Sequence, residues 1–178
     1  MVIKKVKKVK KEKSHLLEPF RSVMAGYWLM KSEPHVYSFE DLIKDNNTHW
    51  DGVRNYQARN FMRDKMKIGD YVLYYHSNTK PPHIAGIAKV HREGYPDFTA
   101  FDSKSKYFDA SSSPDNPRWI MVDIEAIIPL NKIISLNELK ENPSLGEMLV
   151  VQRGQRLSVQ PVEKRHFDEI LRMSETSL

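Results

Sequence analysis

The chain has 178 residues, of which 40% are hydrophobic and 10% aromatic, and it carries a formal net charge of +5 with no cysteine. This size and composition indicate one globular domain with a core, and they exclude disulfides, thiolate metal sites and a thiol nucleophile. No apolar run is long enough to cross a bilayer and no signal peptide is present, so we expect a soluble intracellular protein, cytoplasmic in a bacterium or nuclear in a eukaryote.

Most of the positive charge lies at the start of the chain. Residues 1–23 hold eight of the 28 Lys and Arg and two of the 23 Asp and Glu, which leaves 20 basic and 21 acidic side chains elsewhere. Such a lysine-rich block is typical of a disordered tail, although a nucleic-acid arm or a nuclear address fits as well, and Met24 is an alternative natural start. We therefore expect a leader (1–26), a domain (27–173) and a tail (174–178). A near-neutral domain binds nucleic acid through local groups rather than a general basic field.

The first part of the domain predicts one strand and two helices. Residues 27–30 form a short apolar run that suits a buried strand. A capping box that begins at Ser38 predicts a short helix after it. Asn55 is a good N-cap for a second helix that stops near Gly69, with one apolar face and one basic stripe.

The middle of the chain predicts the main strands of a sheet. Residues 70–76 are apolar or aromatic on both faces, which indicates a central strand covered on each side. Residues 83–91 suit its partner strand, where Gly86 allows a bulge or a close backbone approach. The polar segment 94–117 contains several aromatics, which favours an ordered lid or binding loop, or else an insert that packs on the surface. Residues 118–128 alternate cleanly and predict a half-buried strand.

The last part predicts a helix, a strand and a final helix. A capping box at Ser135 opens a short helix, and residues 149–151 suit a short strand. Pro161 is expected near the first turn of the final helix. About five strands and four helices in mixed order, with no periodic βαβ pattern, predict an α+β fold with a curved or barrel-like sheet.

The familiar signatures of catalysis are absent from the sequence. It has no Gly-rich phosphate loop, no His-Glu-x-x-His and no nucleophile elbow, and its seven histidines lack metal-ligand spacing. We therefore predict no catalytic residues, no metal and no cofactor. The alternative is an enzyme that acts on nucleic acid or modified nucleosides, for which Lys31, Glu33 and His76 are the candidate cluster.

Several loops carry groups suited to a planar polar ligand. A base held out of its stack needs aromatic faces on both sides and hydrogen-bonding groups at its edges. The candidate faces are Trp28, Trp50, Tyr56, Tyr75 and Trp119. The candidate edge groups are Ser32, Glu33, Asn55, His76, Gln155 and Ser158. Candidate phosphate contacts are Lys31, Arg54, Arg59 and Arg156, since Arg suits bidentate contact.

Several separate motifs in order resemble the EVE domain family over residues 27–173. They are Trp28-Leu29-Met30-Lys31-Ser32-Glu33-Pro34, Trp50-Asp51-Gly52-Val53-Arg54-Asn55-Tyr56-Gln57-Ala58-Arg59-Asn60-Phe61, Tyr75-His76-Ser77-Asn78, Gly86-Ile87-Ala88, Tyr95-Pro96-Asp97, Asn116-Pro117-Arg118-Trp119 and Gln155-Arg156-Leu157-Ser158-Val159-Gln160-Pro161. The resemblance implies a PUA-like mixed β pseudo-barrel with flanking short helices. It also implies a non-catalytic module that binds nucleic acid, DNA in preference to RNA, and reads a modified base. Modified cytosine in DNA, for example 5-hydroxymethylcytosine, is the leading candidate.

The resemblance also implies which residues form the base pocket. They are Lys31, Ser32, Glu33, Trp50, Val53, Arg54, Asn55, Tyr75, His76, Ser77, Gln155 and Ser158, with Arg156 beside them. As our own assignment of roles, we predict that Arg59, Arg63 and Arg156 contact phosphate. An RNA-binding module and an enzyme of the ASCH type remain alternatives. We expect a monomer that does not associate with membranes.

Overall fold

A computed structural model describes residues 25–178 and shows an α+β fold, as predicted. Most of the predicted leader lies outside the described residues. The strands are β1 (Tyr27–Ser32), β2 (Asn47–His49), β3 (Tyr71–His76), β4 (His83–Pro96), β5 (Ile120–Ser135) and β6 (Val159–Pro161). The helices are α1 (Phe39–Asp45), α2 (Tyr56–Asp64), α3 (Leu136–Glu141) and α4 (Lys164–Met173).

The six strands form one mixed sheet in the order β2-β5-β4-β3-β1-β6. Strand β1 runs parallel to β3, and the other pairs are antiparallel. Among the described residues β2 and β6 remain separate edges, so the sheet is not closed. The register of β4 against β5 shifts at several points, and such bulges bend and twist a sheet. The bend brings Trp50, which follows β2, against Tyr74 of β3.

Both faces of the sheet are covered, as predicted for a central strand. Alternate residues of β3 point to opposite faces: Val72 and Tyr74 pack with α1 and α2, while Leu73 and Tyr75 pack with α3 and α4. This alternation is the period of two that every strand imposes on its side chains. A strand buried on both faces must be apolar at every position, which explains the continuous run in the sequence.

Gly86 permits a close approach between α1 and the sheet. A Cβ atom at this position would lie 2.1 Å from the Phe39 ring, well inside van der Waals contact. The register of β4 shifts between Ile84 and Gly86 in its pairing with β3 and also in its pairing with β5. The prediction of a bulge or close approach at Gly86 is therefore confirmed.

The local helix signals are confirmed and two of the later boundaries are wrong. Capping boxes form at Ser38 and Ser135, and the Asn55 side chain accepts a hydrogen bond from the Ala58 backbone N–H at the start of α2. Helix α2 ends at Asp64 rather than near Gly69, and β5 continues to Ser135.

Residues 149–151 form a turn of 3-10 helix, not a strand, and Pro161 belongs to β6, not to a helix. The Val151 backbone N–H donates to Met148 O, so the segment satisfies its hydrogen bonds locally. Strand β6 is an edge strand, where a missing N–H is tolerated, and it pairs Pro161 with Trp28. The final helix consequently starts at Lys164.

Candidate functional site

A cavity of about 650 Å³ lies at one end of the sheet, where β1 and β3 end and β6 begins. Its volume falls within the range of about 300–1,000 Å³ that is typical of small-molecule sites. The lining residues are Lys31, Ser32, Glu33, Val36, Tyr37, Thr48, His49, Trp50, Asp51, Gly52, Ser77, Lys106, Tyr107, Arg156 and Ser158.

The pairing of the strands explains why distant segments meet at this cavity. Strands β1 and β3 are parallel neighbours, so their exit loops leave the sheet at the same end; Ser77 N–H donates to Ser32 O at 2.8 Å. Strand β6 runs antiparallel to β1, so the residues before β6 reach that same end. There Lys31 N–H donates to Ser158 O at 2.9 Å.

Trp50 is the tryptophan that lines the cavity. It is 9% exposed, its backbone N–H donates to Val122 O at 2.7 Å, and its ring meets that of Tyr74 edge-on. The indole N–H groups of Trp28 and Trp119 instead donate to Asp70 and Asp109. Those two tryptophans are therefore buried and bonded within the protein, and Trp50 supplies an aromatic wall of the site.

Tyr107 supplies a second aromatic group at the cavity, next to Gly52. Gly52 has φ +73°, and a Cβ atom there would lie 2.5 Å from the Tyr107 ring. The Tyr107 carbonyl accepts hydrogen bonds from the Arg54 guanidinium at 3.0 and 2.5 Å. Arg54 therefore ties the loop after Trp50 to the segment 94–117.

Asp97 is the partner that holds Arg54. Its side chain is fully buried, and it accepts hydrogen bonds from Arg54 at 2.7 Å, from Gly52 N–H at 2.9 Å and from Thr99. Burial alone would raise the pKa of Asp97, but the hydrogen bonds from Arg54, Thr99 and Gly52 outweigh it and hold the pKa below the ordinary value. The carboxylate is therefore ionised at neutral pH, and it positions two sides of the cavity.

The polar lining carries charges of both signs. Lys31, Lys106 and Arg156 are cationic, and Glu33 and Asp51 are acidic. Burial lowers the pKa of Lys31, whose ammonium group lies 3.5 Å from Gln155 O. A ligand that has hydrogen-bond donors on one part and negative charge on another matches this lining.

The structure brings together part of the predicted pocket. The residues of the predicted base pocket that line the cavity are Lys31, Ser32, Glu33, Trp50, Ser77 and Ser158. Arg156, one of the predicted phosphate contacts, lines it as well. Tyr75 and Gln155 line a neighbouring cavity. Val53 is buried in the core, and Asn55 caps α2.

The predicted phosphate contacts lie in different surroundings. Arg59 donates to Arg118 O at 2.6 Å and to Asn60, and Arg63 pairs with Asp64. Arg156 is exposed at the cavity rim. Of the three, Arg156 is thus the one placed to meet a ligand of this cavity.

His76 is buried beside the cavity, and both of its ring nitrogens have partners. Its Nε2 accepts from the Phe39 backbone N–H at 3.1 Å, and its Nδ1 lies 3.3 Å from His83 Nε2. His83 Nδ1 lies 2.8 Å from the Pro81 carbonyl, which can only accept, so a proton on Nδ1 of each ring satisfies this chain of hydrogen bonds. The candidate enzyme cluster is thus divided, because Lys31 and Glu33 line the cavity and His76 does not.

We expect His76 to make folding sensitive to mild acid. Burial, with a smaller contribution from His83, lowers the pKa of His76, while Glu40 acts in the opposite direction. The unfolded state then binds a proton more readily, so stability is complete above the unfolded value near 6.5 and falls as the pH drops through the folded value. Denaturant unfolding between about pH 7.5 and 5.5 (about one unit either side of that value) should show a shallower pH slope for His76→Gln than for the wild type.

His35→Gln is the matched control, because His35 is an exposed histidine whose Nε2 lies 3.1 Å from Glu33. Its pH slope should follow the wild type. An unchanged slope for His76→Gln would contradict the assignment of the acid sensitivity to His76.

Several residues that line the cavity were not among the predicted site residues. Tyr37, Thr48, His49 and Lys106 line it, although none was predicted to. The signal for Tyr107 was the aromatic content of the segment 94–117, which suggested an ordered loop without indicating which ring enters the site.

Within residues 25–178, no helix is both long and apolar enough to span a membrane. Nor does any group of three His, Asp or Glu side chains in that range suit a metal ion.

Comparison with known proteins identifies the family of this chain. The EVE domain matches residues 26–173. Human thymocyte nuclear protein 1 is 42% identical over 171 residues, which cover 85% of this chain and 75% of the human protein. A solved structure of a hypothetical protein from Leishmania major is 50% identical with a TM-score of 0.79, covering 85% of this chain and 95% of that one.

A crystal structure of the human THYN1 protein in complex with DNA that contains 5-methylcytosine is also similar. It is 42% identical with a TM-score of 0.78, and the match covers 86% of this chain and 100% of the human one. Together, the family match over nearly all the described residues and the identity to these relatives leave one conclusion. The chain belongs to the EVE domain family.

Proposed function

We propose that the protein binds DNA and holds a modified cytosine in the Trp50 cavity. The observation that carries this proposal is the cavity itself, where the rings of Trp50 and Tyr107 and a polar strand edge surround one space. The similarity to a human protein solved with DNA containing 5-methylcytosine supports it. Because that relative is 42% identical over nearly the whole domain, its DNA complex is direct support for DNA as the ligand of this chain.

The chemistry of the lining suits a cytosine with a substituent on its ring. The aromatic faces of Trp50 and Tyr107 suit stacking, which is worth about 1–3 kcal/mol for each base. The Glu33 carboxylate suits the exocyclic amine of cytosine as an acceptor. Lys31 and Arg156 at the rim suit the negative charge of the adjoining phosphate.

We propose binding without catalysis. The candidate catalytic cluster of Lys31, Glu33 and His76 is not assembled, because His76 lies outside the cavity with both ring nitrogens engaged. For the same module we propose a nuclear location in a eukaryotic host and a cytoplasmic one in a bacterium.

The test is equilibrium binding to short DNAs that differ in one base. Cytosine, 5-methylcytosine, 5-hydroxymethylcytosine and a modified adenine are compared in single and double strands at fixed salt, with the matching RNA as competitor. The full chain is compared with a variant in which the seven Lys of residues 4–13 are replaced by Gln. We expect a preference for one modified cytosine in both proteins.

Two results would contradict the proposal. The first is affinity that ignores the modification and disappears with the leader lysines, because it would reflect lysine electrostatics alone. The second is tighter binding of RNA than of every DNA tested, which would favour an RNA-binding module.

A further inference from the structure

A second cavity of about 600 Å³ lies beside the Trp50 cavity. The two share Lys31, Ser77 and Arg156 as a common wall. Lys140 of α3 and Arg153, neither of which stood out in the sequence, line its far side. The nucleotides next to a base held in the first cavity would therefore lie close to the second cavity.

The charge of the second cavity differs from that of the first. Lys31, Lys140, Arg153 and Arg156 line it, and its lining contains no carboxylate. Within residues 25–178, no salt bridge joins any of these four side chains to an acid. In a chain whose residues beyond 23 hold 20 basic and 21 acidic side chains, this is a local concentration of uncompensated positive charge.

The loop between the 3-10 turn and β6 presents two of these cations. Gly154 has φ +75°, a left-handed conformation that favours glycine at a turn, and a Cβ atom there would have no neighbour within 4 Å. The Leu157 backbone N–H donates to the Gln155 side chain at 3.0 Å, which holds the loop after the turn. Arg153 and Arg156 flank this turn and both are exposed. Their guanidinium groups are accessible to a ligand in the second cavity.

We propose that the second cavity receives the sugar–phosphate backbone that adjoins the nucleotide in the Trp50 cavity. The phosphate next to the bound base meets Lys31 and Arg156 at the common wall, and the following phosphates meet Arg153 and Lys140. Cationic side chains in a cavity whose lining has no carboxylate suit phosphodiester anions, which carry no sequence information, while the first cavity reads the base. This inference rests on the proposed function.

The test is the salt dependence of DNA binding by the full chain with Arg153→Ala and Lys140→Ala combined. Each lost phosphate contact lowers the slope of log K against log salt by about 0.7–0.9. At 0.1 M salt the double variant should bind on the order of tenfold or more weakly. Modified and unmodified DNA should weaken by the same factor, so the preference is retained.

The matched control combines Lys164→Ala and Arg172→Ala. These two exposed cations of α4 pair with Asp168 and Glu169 and line neither cavity, so the net charge changes equally. We expect their slope to follow the wild type. Circular dichroism confirms that each protein is folded.

Three outcomes separate this inference from the proposed function. A double variant with wild-type affinity and slope overturns the proposal that the second cavity binds the sugar–phosphate backbone, even if the wild type prefers modified DNA. A double variant that loses the preference also overturns it, because the side chains would then contact the base. A wild type without any preference contradicts the proposed function, and a reduced slope in the double variant would still support backbone binding in the second cavity.

Discussion

Replacing Asp97 with Ala should destabilise the protein by about 3–5 kcal/mol, because it leaves the Arg54 guanidinium in a half-buried position without its counter-charge. The backbone N–H groups of Gly52 and Thr99 also lose their acceptor. Denaturant unfolding at pH 7 measures the change. Since the pKa of Asp97 is held low in the folded state, its contribution is present above the unfolded value near 4 and is lost as the pH falls further.

A double-mutant cycle with Arg54→Met tests the physical reason. Removing both charges leaves neither ion unpaired, so the combined variant should be more stable than the two single effects predict, by about 0.5–3 kcal/mol. Asp168→Ala is the control, because Asp168 forms an exposed pair with Lys164 that is worth at most about 1 kcal/mol. Additive effects of Arg54→Met and Asp97→Ala would show that the pair is not the source of the stability.

The second large effect is expected at Trp50. Trp50→Ala removes a buried ring and should destabilise the fold by about 3–5 kcal/mol. It should also weaken binding of modified DNA by about 5- to 150-fold, corresponding to about 1–3 kcal/mol of lost stacking. Trp50→Phe keeps an aromatic face and should retain the fold, with a smaller loss of affinity. Binding is measured at a temperature where circular dichroism shows both variants folded.

Trp28→Phe separates loss of stability from loss of the site. Trp28 packs against Phe61 in the core and donates to Asp70, and it lines neither cavity. Its variant should be less stable but should keep the wild-type preference for the modified base. A folded Trp50→Ala protein with that same preference would mean that the base is not held against Trp50.

The elements that could be predicted from the sequence are those defined by neighbouring residues. The capping boxes at Ser38 and Ser135 and the N-cap at Asn55 each join atoms three residues apart, so a sequence window contains the whole interaction. The strand of residues 70–76 was recognisable because burial on both faces demands apolar side chains at every position. The errors at residues 149–151 and Pro161 arose because a strand depends on a partner, and Pro161 pairs with Trp28 far along the chain.

The candidate site divides along the same line. Polar groups after two buried strands and an aromatic loop suggested a site, and the family motifs assigned Lys31, Ser32, Glu33, Trp50 and Ser77 to its pocket. These five residues line the cavity. The roles of Arg54 and His76 depend on Asp97, 43 residues away, and on Phe39, 37 residues away. A side chain that is well suited to a ligand is equally well suited to a buried protein partner, and the sequence does not contain the distance that separates these cases.

The sequence by itself therefore determined the α+β class, the helix starts, the central strand and the family motifs, because local hydrogen bonding and burial leave a periodic pattern in the residues. The tertiary structure decided which polar groups face the cavity, which are used by the protein itself, and that Lys140 and Arg153 lie beside Lys31. These are consequences of a parallel β1–β3 pair and an antiparallel β6, which bring together segments that lie more than a hundred residues apart in the sequence.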